Sequence, residues 1–282
     1  MLYLHKIANS VWMIEPSFAS NYLPLITQWL QGKPATTAER LPFVNLATPQ
    51  ATTYQVRDWG RNIPENAPTD SVAIIRITDA ITKYDQECGP VGMLTMADLL
   101  RRCYANSNIK AIALVIDSGG GEAHAMFLMN QVIGERNKPV AAFIDDMACS
   151  AAYGIASACD WVTANSDIAR VGSIGTYLTL ADYSEKLKME GINLIEIYAT
   201  ASKDKNSEFM EALKGNLEPL RTLVNRYNDQ FLSTIAANRS GKLKGDASSW
   251  GTGKTYFAPD AEAIGLIDNI DTFDNFINYF NT

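Results

Sequence analysis

Residues whose types permit nucleophilic chemistry gather at two points in this chain. The first is Met147-Ala148-Cys149-Ser150-Ala151-Ala152-Tyr153-Gly154, directly after a strand-like apolar run. A serine on the first turn of a helix, among small residues, exposes its hydroxyl while neighbouring backbone N–H groups point outward. The same position suits a helix-capping serine, and taken alone capping is the simpler reading. The second point is Asp117-Ser118-Gly119-Gly120-Gly121, again just past a strand-like run. Three consecutive glycines allow positive φ and present N–H groups at a helix start, where they hold a phosphate or an oxyanion. A plain tight turn competes with both. The phosphate reading lacks a GxxxxGK[ST] pattern: Gly253-Lys254-Thr255 resembles its end, but the position of its first glycine is Ser248. Together, the serine and the glycine turn one strand earlier supply a nucleophile and an oxyanion hole.

Such a serine needs a base. The chain has two histidines, His5 and His124, and both precede Ser150. His124, three residues past Gly121, reads more readily as surface or substrate-lining than as a base. A lysine can serve where burial lowers its pKa towards the working pH. Tyr198-Ala199-Thr200-Ala201-Ser202-Lys203-Asp204-Lys205 offers two, and spacing does not choose between Lys203 and Lys205. Either also reads as an ordinary solvated lysine. The four cysteines, Cys88, Cys103, Cys149 and Cys159, include no CxxC pair, so reduced, buried thiols are expected rather than a zinc ribbon or a disulfide framework. Two histidines are too few for a His-rich metal site.

The elements that position these residues are legible as strand–helix alternation. SVAIIRIT (71–78), KAIALVID (110–117), PVAAFID (139–145), DWVTA and NLIEIYA (193–199) read as strands. Helical spacing runs through Met93, Met96, Leu99, Leu100 and Cys103, then through Met126, Met129 and Ile133, and then along the small residues from Ser150 to Ala158. A long helical pattern over 206–239 is expected to break near Gly215 and Pro219, and AEAIGLIDNI closes the core. This order predicts parallel βα units with helices flanking a sheet, and ligands gather where such strands end. Ahead of it, NYLPLITQWLQGK reads as a short docking helix, and residues 31–69, rich in Pro, Thr, Ala and Asn, as linker or extended arm. Residues 1–69 are thus expected to be an arm and 70–282 the catalytic domain.

Of 282 residues, 47% are apolar and 20% charged, enough for a substantial core. A net charge of -7 argues against a broad nucleic-acid-binding face. No apolar run approaches a membrane span, and Glu15 interrupts the N-terminal stretch before a signal-peptide core forms, so a soluble, cytoplasmic protein is expected.

Four separated motifs, in order over roughly residues 71–270, resemble the signal peptide peptidase A (protease IV) family of Ser–Lys serine peptidases, bacteriophage members included. DSGGGE resembles the family's glycine turn, which puts Gly120 and Gly121 in the oxyanion region. ACSAAYGIASACD resembles its nucleophile segment, with Ser150 as nucleophile and Ala151 as the second oxyanion donor. Arg170-Val171-Gly172-Ser173-Ile174-Gly175 resembles the element whose serine, here Ser173, orients the lysine. IYATASKDKNS resembles the general-base segment and selects Lys203 over Lys205. GKTYFAPDAEAIGLID resembles a C-terminal block of the family. Two departures are Gly119 where the turn has proline and Glu122 where a small residue follows. Clp-type peptidases share the glycine-turn and serine layout, but their histidine follows the serine, and none does here.

The resemblance implies an α/β fold of repeated strand–helix units related to Clp peptidases and crotonases. It implies peptide-bond hydrolysis with no metal or cofactor, and a ring-like homo-oligomer in which serine and lysine can meet at subunit boundaries. Small residues around Ser150 suggest a narrow pocket for small side chains. The Ala148-Cys149-Ser150-Ala151 stretch and the missing anchor look closest to phage minor capsid protein C-type head maturation proteases, which act on scaffold or capsid proteins. A soluble peptide-degrading relative, a non-catalytic assembly protein and a crotonase-type acyl-CoA enzyme are the alternatives.

Overall fold

The structure, a computed structural model, describes residues 12–15, 44–48, 51–56, 67–86, 90–180, 182–193 and 195–281. Two pieces of the expected arm, β1 (Trp12–Ile14) and the hairpin β2 (Val44–Thr48) and β3 (Ala51–Val56), are strands. The docking helix expected over NYLPLITQWLQGK lies outside the described residues. The core begins with β4 (Ser71–Thr78), α1 (Met93–Ala105), β5 (Ile109–Ser118), the short β6 (Gly120–Glu122) and α2 (Ala123–Gly134). It continues through β7 (Val140–Cys149), α3 (Ala151–Ser157), β8 (Trp161–Ala164) and β9 (Arg170–Gly172). Then come α4 (Ser184–Met189), α5 (Ser207–Leu213), α6 (Glu218–Asn238) and α7 (Ala247–Trp250). The chain closes with β10 (Thr255–Phe257), α8 (Ala258–Ala263), β11 (Asn269–Ile270) and α9 (Phe273–Asn278).

Among the described residues the main sheet runs β10-β9-β7-β5-β4-β2-β3, with β8 on β7 and β11 on β8. Strands β4, β5 and β7 are mutually parallel, as βα units require. β7 forks: its first half pairs with β8 over Ala141–Ile144, its end with β9 over Met147–Cys149. That fork opens the sheet where Ser150 sits.

Strand alternation sorts the core into two layers. Ala73, Ile75 and Ile77 of β4, with Ile112, Leu114 and Ile116 of β5, face α1, α2 and α3 in the larger cluster. Val72, Ile74, Ala113, Val115 and Phe143 face the other way, against Phe276 and Ile277 of α9. Phe143 packs against Phe273 and Phe276 at 5.1 and 5.2 Å between ring centroids. Burying one such side chain contributes about 1.5–3 kcal/mol. The helical pattern of 206–239 breaks where expected: Gly215, at φ 91°, separates α5 from α6, and a proline occupies the first turn of α6. At the far end of α6, buried Arg239 pairs with Asp268 at 2.8 Å and donates to the Gly265 carbonyl, tying the helix to the C-terminal block.

Candidate active site

The site grows from the β7 fork. Cys149 pairs with Gly172, and the next residue, Ser150, donates its N–H to the Gly172 carbonyl at 2.6 Å. Its backbone takes φ 55° and ψ −122° before turning into α3. A left-handed φ on a residue bearing a Cβ costs about 1–3 kcal/mol and persists only where the surroundings impose it. Ser150 stands at the N-cap position of α3 but makes no capping bond, which departs from the simpler reading of its position. It is fully buried, and its Oγ has no hydrogen-bond partner among the described residues. A buried hydroxyl left unpaired costs about 1–3 kcal/mol, so strain and desolvation both concentrate on this one side chain. Ala151, first in the helix, has an N–H with no intrahelical acceptor.

The glycine turn meets the serine from β6. Gly120 has φ 104°, and a Cβ there would fall 2.3 Å from the Met13 carbonyl oxygen, 2.8 Å from the Cys149 carbonyl oxygen and 2.9 Å from the Ser150 Cβ. Only glycine lets this backbone lie against the serine. Gly121 is required for a different reason: its Cβ would strike the backbone of Ile81, with which it forms a bridge. Of the two glycines, Gly120 is the one packed on Ser150, and its N–H donates to the Ser118 hydroxyl at 3.1 Å. Glu122, the acid where the resemblance has a small residue, accepts the Lys83 N–H at 2.8 Å and brackets β6 to the 81–84 loop.

Ser173 lies just past β9, nearly buried, with φ 51°. Its N–H donates to the Lys254 carbonyl at 2.7 Å, and the Gly253 N–H to the Ile174 carbonyl at 2.8 Å. The Gly253-Lys254-Thr255 stretch therefore backs Ser173 rather than forming a phosphate loop. Ser150, Ser173, Gly120 and Ala151 are thus brought together.

The structure does not bring Lys203 to them within one chain. Lys203 and Lys205 are both exposed, and the Ser150 hydroxyl has no partner among the described residues. The strand expected over NLIEIYA is also not formed: its described residues run without a ladder, leaving Ile195 83% and Ile197 91% exposed. Alternating β-branched residues favour a strand, but among the described residues none pairs with them in a ladder. His124 is exposed on α2, edge-on to the Tyr227 ring at 5.8 Å, while His5 and Cys88 lie outside the described residues. Burial pushes the Cys149 thiol up to about 12, and Cys103 likewise to about 12, so both stay protonated. Among the described residues no cluster of His, Cys, Asp or Glu is arranged to hold a metal ion, and no helix is long and apolar enough to cross a membrane.

One contact escaped the sequence: the Glu15 carboxylate lies 3.4 Å from Arg170 on β9. The pair is 155 residues apart, and no local pattern announces it.

The profile described as "Peptidase family S49" matches residues 133–282, a span that holds Ser150, Ser173 and Lys203. Protease 4 of Haemophilus influenzae is 26% identical over 76% of this chain and 34% of its own length. Capsid assembly protease C of Escherichia phage lambda is 24% identical over 81% of this chain and 54% of its own. The chain spans only about a third to a half of the length of these curated relatives. Among solved structures, a ClpP1 variant from Listeria monocytogenes aligns over 71% of this chain and 92% of its own, at 13% identity and a TM-score of 0.45. With more than half of its residues matched by that profile, the chain belongs to peptidase family S49.

Proposed function

We propose that this protein is a serine endopeptidase using a Ser150–Lys203 dyad, and that it matures phage or prophage heads by cutting scaffold or capsid protein. The observation that carries the peptidase reading is the Ser150 hydroxyl, fully buried and unpartnered on a left-handed backbone beside Gly120. Lys203, oriented by Ser173, takes the Ser150 proton as Oγ attacks the scissile carbonyl carbon. N–H groups of Ala151 and Gly121 hold the oxyanion. The lysine ammonium then protonates the departing amine, and a water deprotonated by Lys203 hydrolyses the acyl-enzyme, returning the serine.

Lys203 is supplied by a neighbouring copy. The exposed apolar side chains of Met189, Ile192, Ile195 and Ile197, in the segment that leads to Lys203, favour this, since exposed apolar side chains gathered together are common where another chain packs. A head-to-tail contact of that kind forms a ring where its rotation closes. The phage reading is supported by the match to Capsid assembly protease C, which covers 81% of the chain against 76% for Protease 4.

Purified protein is expected to cleave casein or a phage scaffold protein, with both Ser150→Ala and Lys203→Ala inactive. Cleavage persisting in both variants rules out the dyad. Turnover of a CoA thioester that survives Ser150→Ala favours the crotonase-type alternative instead.

A further inference from the structure

The β6 strand that carries the glycine turn has two edges. Ile81 takes one: its N–H donates to the Gly120 carbonyl at 2.9 Å, and its carbonyl accepts the Glu122 N–H at 2.8 Å. The other edge is held by the arm. β1 runs antiparallel along it, Met13 opposite Gly121 and Ile14 opposite Gly120, and the Glu15 N–H donates to the Gly119 carbonyl at 2.7 Å. Met13 is fully buried, and Ile14 and Glu15 nearly so. The Met13 carbonyl oxygen and the Ser150 Cβ lie 2.3 and 2.9 Å from the point that a Gly120 Cβ would occupy, so the arm's backbone passes the nucleophile itself. Beyond it, the Glu15 carboxylate reaches Arg170, and it stands close enough to Tyr177 to reinforce the upward push that burial gives that phenol.

A peptide that approaches Ser150 in extended form satisfies its backbone by adding a strand to β6, and that edge is already taken. We propose that Trp12–Glu15 is a pseudosubstrate strand, and that Arg170 forms an acid-selective subsite which Glu15 fills and which takes an acidic side chain of the substrate. The arm is therefore an intramolecular competitor, and the protease is latent until the strand is displaced. The inference rests on Ser150 being the nucleophile, but occupancy of the groove is testable without catalysis.

The probe is a fluorescein-labelled peptide spanning residues 10–18, followed by fluorescence polarisation on the full chain carrying Ser150→Ala. Adding Met13→Asp, which puts a charge in a buried position, releases the strand and tightens peptide binding by about tenfold or more, because the competent fraction rises. Glu15→Pro, which deletes both the donor to Gly119 and the carboxylate, does the same should Met13→Asp fail to fold. A peptide with Gln in place of its Glu binds more weakly, and this preference disappears in Arg170→Ala. In the catalytic chain, release lowers the KM for casein at unchanged kcat, and the free peptide inhibits competitively. Equal peptide binding by the parent and by folded, strand-released variants overturns the proposal. So does an unchanged Glu-over-Gln preference in Arg170→Ala. Cleavage that depends on Ser150 but does not respond to strand release sinks this inference and leaves the peptidase reading intact. Peptide binding that responds to release in a chain that never cleaves does the reverse.

Discussion

Ser150 and Ser173 stand side by side at the ends of two parallel strands, joined by the 2.6 Å bond from the Ser150 N–H to the Gly172 carbonyl. Both hold left-handed backbone, at φ 55° and 51°. Two non-glycine residues in that region, one beside the other, are costly for stability and persist only where the surrounding structure imposes them. The glycines at 120 and 172, at φ 104° and 110°, let the backbone close around the pair.

Removing the Ser150 hydroxyl therefore separates activity from stability. Ser150→Ala is expected to lower cleavage by at least about a thousandfold while leaving thermal stability unchanged or raised, since an unsatisfied buried oxygen disappears. Parallel activity assays and calorimetry check this; a clear fall in Tm would show that the hydroxyl has a structural partner.

Mixing inactive variants tests the origin of the base. Ser150→Ala and Lys203→Ala, unfolded together and reassembled, should recover cleavage at roughly a quarter of sites if each site takes its lysine from a neighbour. A mixture that stays inactive places both residues of the dyad in one chain.

Gly120→Ala should be far more damaging than Gly134→Ala. The first puts a Cβ against three atoms closer than 3 Å at a φ of 104°, whereas a Cβ at Gly134 meets nothing within 4 Å. Backbone strain alone costs about 1–3 kcal/mol at the first site. Denaturant midpoints of the two variants provide the comparison.

The Arg239–Asp268 pair gives a pH signature. Burial by itself would raise the Asp268 carboxyl, but hydrogen bonds from Arg239 and Lys242 outweigh it and hold the group below its usual range. A carboxylate depressed in the folded state stabilises above its unfolded pKa, and that stability is lost as pH falls through the folded value. Asp268→Asn should therefore be less stable than the parent at neutral pH, with the gap narrowing in acid below the usual carboxylate range. Asp268→Ala, which strands a buried guanidinium, should cost about 3–5 kcal/mol. Thermal melts across pH decide it; a constant gap would contradict the assignment.

What the sequence determined by itself was everything that depends on local pattern. SVAIIRIT is β4 residue for residue, the break at Gly215 separates two helices, and the serine and the glycine turn follow β7 and β5, although those strands run on to Cys149 and Ser118 rather than ending at Asp145 and Asp117. Periodicity and turn chemistry act over a few residues, so they are legible without coordinates. Only the tertiary structure decided that Ser150 is unpartnered among the described residues rather than capping, and that Gly120 lies against the serine while Gly121 lies against Ile81. It alone placed Trp12–Glu15, 135 or more positions before the nucleophile, on the glycine edge. It also left the described residues of NLIEIYA without the strand they favour, because a strand needs a partner edge as well as propensity. Burial, register and long-range pairing are properties of the whole packed chain, and no short stretch of residues carries them.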